Sequence, residues 1–145
     1  MPDRGAPGGQ GDPLARLPHT GAARLPSRVL RLDPGRAVTA ERCLAAGDPC
    51  LNGDGFLPSV LVVELMAQAG GLLMEQEPGG SAGVLAGVRR LHLHAAPGAG
   101  DTVTVECRLE RRLGELYLLS CDARSGTRAL AHGRIHLRRT RRARA

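Results

Sequence analysis

One stretch restricts the fold more than any other: Pro58-Ser59-Val60-Leu61-Val62-Val63-Glu64-Leu65-Met66-Ala67-Gln68-Ala69, continuing through Gly70-Gly71-Leu72-Leu73-Met74. Pro58 suits the first turn of a helix, where a missing N–H costs nothing. From there to about Gln76 only the Gly70-Gly71 pair interrupts helical propensity. Apolar residues occur all round, so the helix is expected to be buried on nearly every side. It is too short, and too interrupted by Glu64 and Gln68, to span a bilayer. A helix of this kind cannot stand at a surface; the rest of the chain has to cover it. Glu64 and Gln68, four apart, share one face. A carboxylate in a buried helix costs several kcal/mol unless paired, hydrogen-bonded or protonated. Two readings follow: a structural Glu–Gln hydrogen bond, or a carboxyl tuned by burial for acid chemistry.

The flanking segments supply the cover. Residues 1–13 are Gly, Pro and polar residues and read as a disordered tail, with a short helical turn over 14–19. Arg28-Val29-Leu30-Arg31-Leu32 alternates and ends at Asp33-Pro34-Gly35, a turn signal, so residues 36–44 close a hairpin. A loop over 45–52 contains Asp48-Pro49, and the helix ends near Glu77-Pro78-Gly79-Gly80. Strands follow over 84–95, 102–113, 116–123 and 128–138, separated by Gly-rich turns. In the second of these, Val103, Val105, Cys107 and Leu109 face one way and Thr104, Glu106, Arg108 and Glu110 the other. In the last, His132, Arg134, His136 and Arg138 share an outward face, and residues 139–145 form a basic tail. One hairpin, one buried helix and an antiparallel meander outline an α+β hot-dog fold, with the sheet wrapped around one long central helix. At 145 residues the chain is one domain, expected over 14–138.

Composition narrows the function. Phe56 and Tyr117 are the only aromatics, so the core is Leu, Val and Ala. A net charge of +6, carried by arginine, favours an acidic partner, but without aromatic platforms single-stranded nucleic acid is not expected. Cys43, Cys50, Cys107 and Cys121 show no CxxC spacing, so neither zinc nor a disulfide framework is expected, and reduced thiols point to the cytoplasm. The first residues contain no apolar h-region of a secretory signal.

Several blocks together resemble the β-hydroxyacyl-acyl-carrier-protein dehydratases of fatty-acid synthesis. They are Leu17-Pro18-His19, Arg28-Val29-Leu30 with Leu32-Asp33-Pro34-Gly35, Asp48-Pro49, Val63-Glu64 with Met66-Ala67-Gln68-Ala69, Ala86-Gly87-Val88 and Gly100-Asp101. The chain departs from that family in one place. Where the family has Gly-His-Phe-Pro-Gly and a second Pro-Gly, this chain has the shorter Gly53-Asp54-Gly55-Phe56-Leu57-Pro58-Ser59, with Asp54 at the position of the catalytic His. A branch of dehydratases from aryl-polyene-type gene clusters is similar here, with Gly-x-Gly and a Pro before the helix.

The resemblance implies removal of water from a (3R)-hydroxyacyl thioester. A base takes the C2 proton, an acid protonates the departing hydroxyl, and N–H groups at the helix N-terminus hold the thioester oxygen. In the family the base is a His and the acid a helix Glu from the other subunit of a dimer. Glu64 matches the acid. Asp54 replaces the imidazole only if positioned and desolvated, the alternative being a loop-stabilising residue. Gly53, Gly55, Phe56 and Gln68 match the substrate-binding positions. His19 matches a structural His, Cys50 reads as core filler, and His92 and His94 are read as facing opposite ways, one at most pointing inward. The implied partner is an acyl carrier protein bearing a phosphopantetheine-bound acyl chain, docked on Arg89, Arg90, Arg138 and Arg139. A homodimer or a heterodimer with a paralogue is expected, with no cofactor, no metal, no nucleic acid and no membrane span. Two alternatives share the fold: a noncatalytic subunit paired with a His-bearing paralogue, and an acyl thioesterase.

Overall fold

The computed structural model describes residues 12–16, 24–74 and 81–141. The Leu17-Pro18-His19 block and the helix end expected at Glu77-Pro78 lie outside these residues. A 3-10 turn, Pro13–Arg16, precedes β1 (Arg28–Asp33), β2 (Ala37–Cys43), α1 (Ser59–Gly71), β3 (Ser81–Leu93), β4 (Thr102–Leu113), β5 (Leu116–Ser125) and β6 (Arg128–Arg141). The six strands make one sheet in the order β1-β2-β4-β5-β6-β3, antiparallel at every pairing.

This order differs from a simple meander. β3 does not lie beside β4 but crosses to the far edge and pairs with β6. The 94–101 link therefore passes the N-terminal end of α1, where Phe56 bridges Gly98 and the Leu57 N–H donates to the Pro97 carbonyl at 2.8 Å. A second difference lies at the chain end. Residues 139–141, expected in a basic tail, continue β6 because their backbone groups pair with β3 down to Ser81↔Arg141.

The sheet buries the face its alternation dictates. Val103, Val105 and Cys107 of β4, Tyr117, Leu119 and Cys121 of β5, and Ala131, Ile135 and Leu137 of β6 all point to the helix. Against them α1 buries Val62, Val63, Leu65, Met66, Ala67, Gln68, Ala69, Gly70 and Gly71. Each fully buried Leu or Met here contributes about 1.5–3 kcal/mol of transfer free energy. The helix is shorter than its apolar run. It ends at Gly71, and Leu72, Leu73 and Met74 continue as tight turns whose N–H groups reach the carbonyls of Ala69, Gly70 and Gly71, each at 3.1 Å. Gly70 supplies the reason for its own presence: a Cβ there would sit 2.5 Å from Leu119 Cδ1, so the sheet touches the helix backbone.

Candidate functional site

The segment leading into α1 is a small scaffold built on two polar residues. Asn52 Oδ1 accepts the N–H groups of Asp54 at 3.1 Å and Phe56 at 3.0 Å. The Asn52 carbonyl accepts from Gly55 N–H at 3.0 Å, and the Asn52 N–H donates to the Phe56 carbonyl at 2.8 Å. Gly55 has φ +82°, a conformation only glycine adopts cheaply, so the Gly53-Asp54-Gly55 tip is set by residue type. Asn52 was not legible as a site residue from its neighbours' chemistry; the one signal is the Asn-Gly-Asp-Gly run, which favours an Asx turn.

Upstream, Asp48 binds Arg42 Nη2 through both carboxylate oxygens, at 2.8 and 2.9 Å. Burial alone would push its carboxyl up, but the Cys50 N–H and the Arg42 guanidinium outweigh it and hold the group below the usual carboxylate range. Arg42 Nη1 also donates to the Leu25 carbonyl at 2.9 Å, tying the loop to the chain before β1. On the other flank, Asp101 accepts the Gly98 N–H at 2.8 Å and Arg128 Nη2 at 2.9 Å. The Gly98 hydrogen bond, with the Arg128 charge, likewise holds the Asp101 carboxyl low.

These fixed loops frame a cleft of about 330 Å³ at the start of α1, lined by Asn52, Phe56, Pro58, Val62, His94 and Leu130 among others. The helix has no side-chain N-cap, and no acidic residue in its first turn. No carboxylate of the helix's own first turn therefore offsets its leading N–H groups and positive dipole end. An apolar cleft ending on such amides can hold a thioester oxygen that gains negative charge.

The expected site residues do not all meet there. Phe56 lines the cleft and is 47% exposed. Gly53, Asp54 and Gly55 form the loop tip beside it; Asp54 is solvent-exposed and is not part of the cleft wall. Gln68 does not line it either. Only 3% exposed, it accepts the Leu25 N–H at 2.8 Å through Oε1, which turns its Nε2 toward Glu64 Oε1 at 3.2 Å. Gln68 is thus a buried strut holding Glu64, the structural reading of the pair. Glu64 itself is half-buried rather than enclosed, and it too lies outside the cleft wall of its own chain.

The histidines correct another expectation. Residues i and i+2 of a strand share a face, and His92 and His94 are both exposed on one side of β3's end. Their rings stack on His132 at centroid distances of 4.7 and 4.9 Å. His94 Nε2 lies 2.9 Å from His132 Nδ1. Among the described residues no group of three His, Cys, Asp or Glu side chains is arranged to hold a metal ion. Arg89, Arg90 and Arg138 are exposed and Arg139 half-buried along the β3–β6 ribbon, where Val84 pairs with Arg138 and Arg89 with Arg134. No helix among the described residues is long and apolar enough to cross a membrane.

Comparison with known proteins agrees with this architecture. The model of the ApeP-like family, described as ApeP dehydratase, matches residues 12–144. The 3-hydroxyacyl-[acyl-carrier-protein] dehydratase FabZ of Lawsonia intracellularis is 30% identical over 119 residues, covering 76% of this chain and 78% of that protein. FabZ of Oleidesulfovibrio alaskensis is 30% identical over 118 residues, covering 76% and 77%. Among solved structures, the dehydratase heterocomplex ApeI:P from Xenorhabdus doucetiae superposes with a TM-score of 0.81 at 22% identity, covering 91% of this chain and 93% of that one. A hypothetical thioesterase with coenzyme A from Streptococcus pneumoniae gives 0.64 at 15% identity, covering 79% and 85%. At these identities the structural likeness speaks to the fold, a hot-dog sheet around one helix.

Proposed function

The chain belongs to the ApeP-like dehydratase family, and from that premise we propose that it acts in the dehydration of (3R)-hydroxyacyl chains carried on an acyl carrier protein during fatty-acid or polyketide-type synthesis. The observation that carries this reading is the uncapped N-terminus of α1 opening on an apolar cleft, with Glu64 strutted by Gln68 on the same helix. In this reading the leading amides of α1 hold the thioester oxygen and lower the cost of removing the C2 proton. Glu64 delivers a proton to the departing C3 hydroxyl, which leaves as water.

In this reading one chain does not supply the proton acceptor by itself. Asp54 stands at the loop position of the base but is exposed to water, where a carboxylate is a weak base. His94 commits one ring nitrogen to His132. We therefore assign the base to a His-bearing paralogue in a heterodimer, Asp54 remaining the candidate if the chain works as a homodimer. The edge strand β3 offers the docking face: Val84 is 52% exposed, Leu85 and Val88 each 38%, and Leu93 53%. Open apolar edges of this kind invite strand pairing. Arg89, Arg90, Arg138 and Arg139 lie on the same ribbon and would receive an acidic carrier protein, with binding that weakens as salt rises. Four free cysteines suit a reducing compartment, and the cytoplasm is the one proposed.

The test is a dehydration and hydration assay on a carrier-bound crotonyl/3-hydroxybutyryl pair, with light scattering on the same samples. Turnover by the chain with its His-bearing paralogue, in a complex of two chains, supports the reading. A monomer at micromolar concentration with native circular dichroism, or hydrolysis of the thioester in place of dehydration, overturns it.

A further inference from the structure

We propose that the outer face of the β5–β6–β3 corner is a phosphate-binding subsite, which takes the phosphodiester of the arm carrying the acyl thioester. The proposal rests on the dehydratase reading for the identity of the arm, but the site is argued from its own geometry.

The backbone has been bent to make this corner. Between Arg89↔Arg134 and His92↔His132 the β3–β6 register slips, three steps on β3 against two on β6. Within that bulge Arg90 has φ +50°, the one non-glycine residue with positive φ among the described residues. Such a conformation is unfavourable in a residue with a Cβ. The bulge also needs Gly133 opposite it, since a Cβ there would come within 3.0 Å of the Leu91 Cα. Bulges re-aim side chains. This one places Arg90 in a recess of about 190 Å³ whose other walls include His92, Ser120, His132 and Arg134.

The charge balance of the recess favours an anion. Asp122 is the one acid on its wall, and Arg134 is partly engaged by Glu110 at 3.4 Å. Arg89 and Arg90 make no ion pair among the described residues. The two imidazoles of His92 and His132, the Ser120 hydroxyl and the Arg90 guanidinium offer N–H and O–H donors suited to phosphate oxygens.

The recess also adjoins the cleft. His94 lines the cleft and His132 lines the recess, and the 2.9 Å contact between their ring nitrogens is the partition. A thioester lying in the cleft with its arm leading out past His94 brings a phosphate to His92, His132 and Arg90. Covalent tethering to a carrier protein then puts that protein over Arg89 and Arg90.

The experiment compares crotonyl-pantetheine with crotonyl-phosphopantetheine binding to the full-length chain, by calorimetry and by the imidazole NMR signals of His92, His94 and His132. The phosphorylated probe is expected to bind about tenfold tighter, the effect of one good charge-assisted contact, and to move all three imidazole signals. Arg90→Gly removes the guanidinium and relieves the positive φ, so it is expected to abolish that tenfold difference without lowering the melting temperature. His132→Gln is expected to reduce the same difference between the two probes. Inorganic phosphate alone, weakly perturbing the same imidazoles, would also support the site. Equal binding of the two probes, or a difference that survives Arg90→Gly, overturns the proposal. Coenzyme A matching the phosphopantetheine probe would assign the site to the shared phosphate group; a further gain from tethering to a carrier protein would assign the natural ligand to the carrier. If phosphate-dependent binding holds while the paired chains show no dehydration, the subsite stands and the dehydratase reading falls.

Discussion

Gly70→Ala and Gly71→Ala, one residue apart in the same helix, are expected to change stability in opposite directions. At Gly70 an added Cβ would lie 2.5 Å from Leu119 Cδ1 and 3.2 Å from Leu137 Cδ1. Ordinary carbon contacts are about 3.5–4.0 Å, and both leucines are fully buried. Overpacking of this kind costs roughly 1–3 kcal/mol. Replacing helical glycine by alanine recovers up to about 1 kcal/mol, leaving a net loss of up to about 2 kcal/mol. At Gly71 the same Cβ would meet nothing within 4 Å. Only the propensity gain remains, and this variant is expected to be more stable by up to about 1 kcal/mol. For a chain of this size 1 kcal/mol moves the melting temperature by about 3–5 °C. Thermal and urea melts of both variants, at one protein concentration because association shifts apparent stability, read the difference directly. Gly70→Ala as stable as the parent, or both variants shifted the same way, would refute the claim that the sheet rests on the backbone of α1 at Gly70.

Other expectations follow from the polar scaffold. Asp48→Ala leaves the Arg42 guanidinium without its carboxylate and is expected to cost about 1–3 kcal/mol in urea melts, between the values for exposed and buried pairs because this one is part-buried. Because Asp48 and Asp101 are held low in the folded chain, the stability they contribute is present above their unfolded value of about 3.9 and is lost as pH falls through the folded values. Melts below pH 4 are expected to show parent and Asp48→Asn converging. Asn52→Ala removes the acceptor for the Asp54 and Phe56 amides, and their hydrogen exchange is expected to accelerate while that of β4 does not change.

What the sequence disclosed and what it withheld divide along range. β4 and β6 were legible because strict alternation, Val103-Val105-Cys107 and Ala131-Gly133-Ile135-Leu137, encodes the buried face residue by residue. The helix was legible as buried because its apolar residues lie on every side, but that same uniformity hides its end. The local sign of that end is the Gly70-Gly71 pair, while the approach of Leu119 to Gly70 joins residues far apart in the chain. β3 pairing with β6 instead of β4 is likewise nonlocal. At the site, Glu64 and Gln68 were visible as polar residues in an apolar run. The Leu25 N–H that orients Gln68 lies 43 residues away and could not be read. His94 and His132 belong to different strands and meet only through register. The placement of Asp54 outside the cleft wall follows from the Asn52 turn, a local feature for which the Asn-Gly-Asp-Gly run was the available sign.

The central claim is that Glu64 supplies the proton in a composite dehydratase site. The most direct test is the turnover number of Glu64→Gln, assayed in complex with the His-bearing paralogue on a carrier-bound 3-hydroxyacyl substrate. The amide keeps the size of the side chain and can still meet Gln68, so the melting temperature is expected to hold, while turnover is expected to fall by about two to four orders of magnitude, the usual contribution of a general acid. Turnover that persists in the Glu64→Gln complex would make this chain a scaffold and contradict the account.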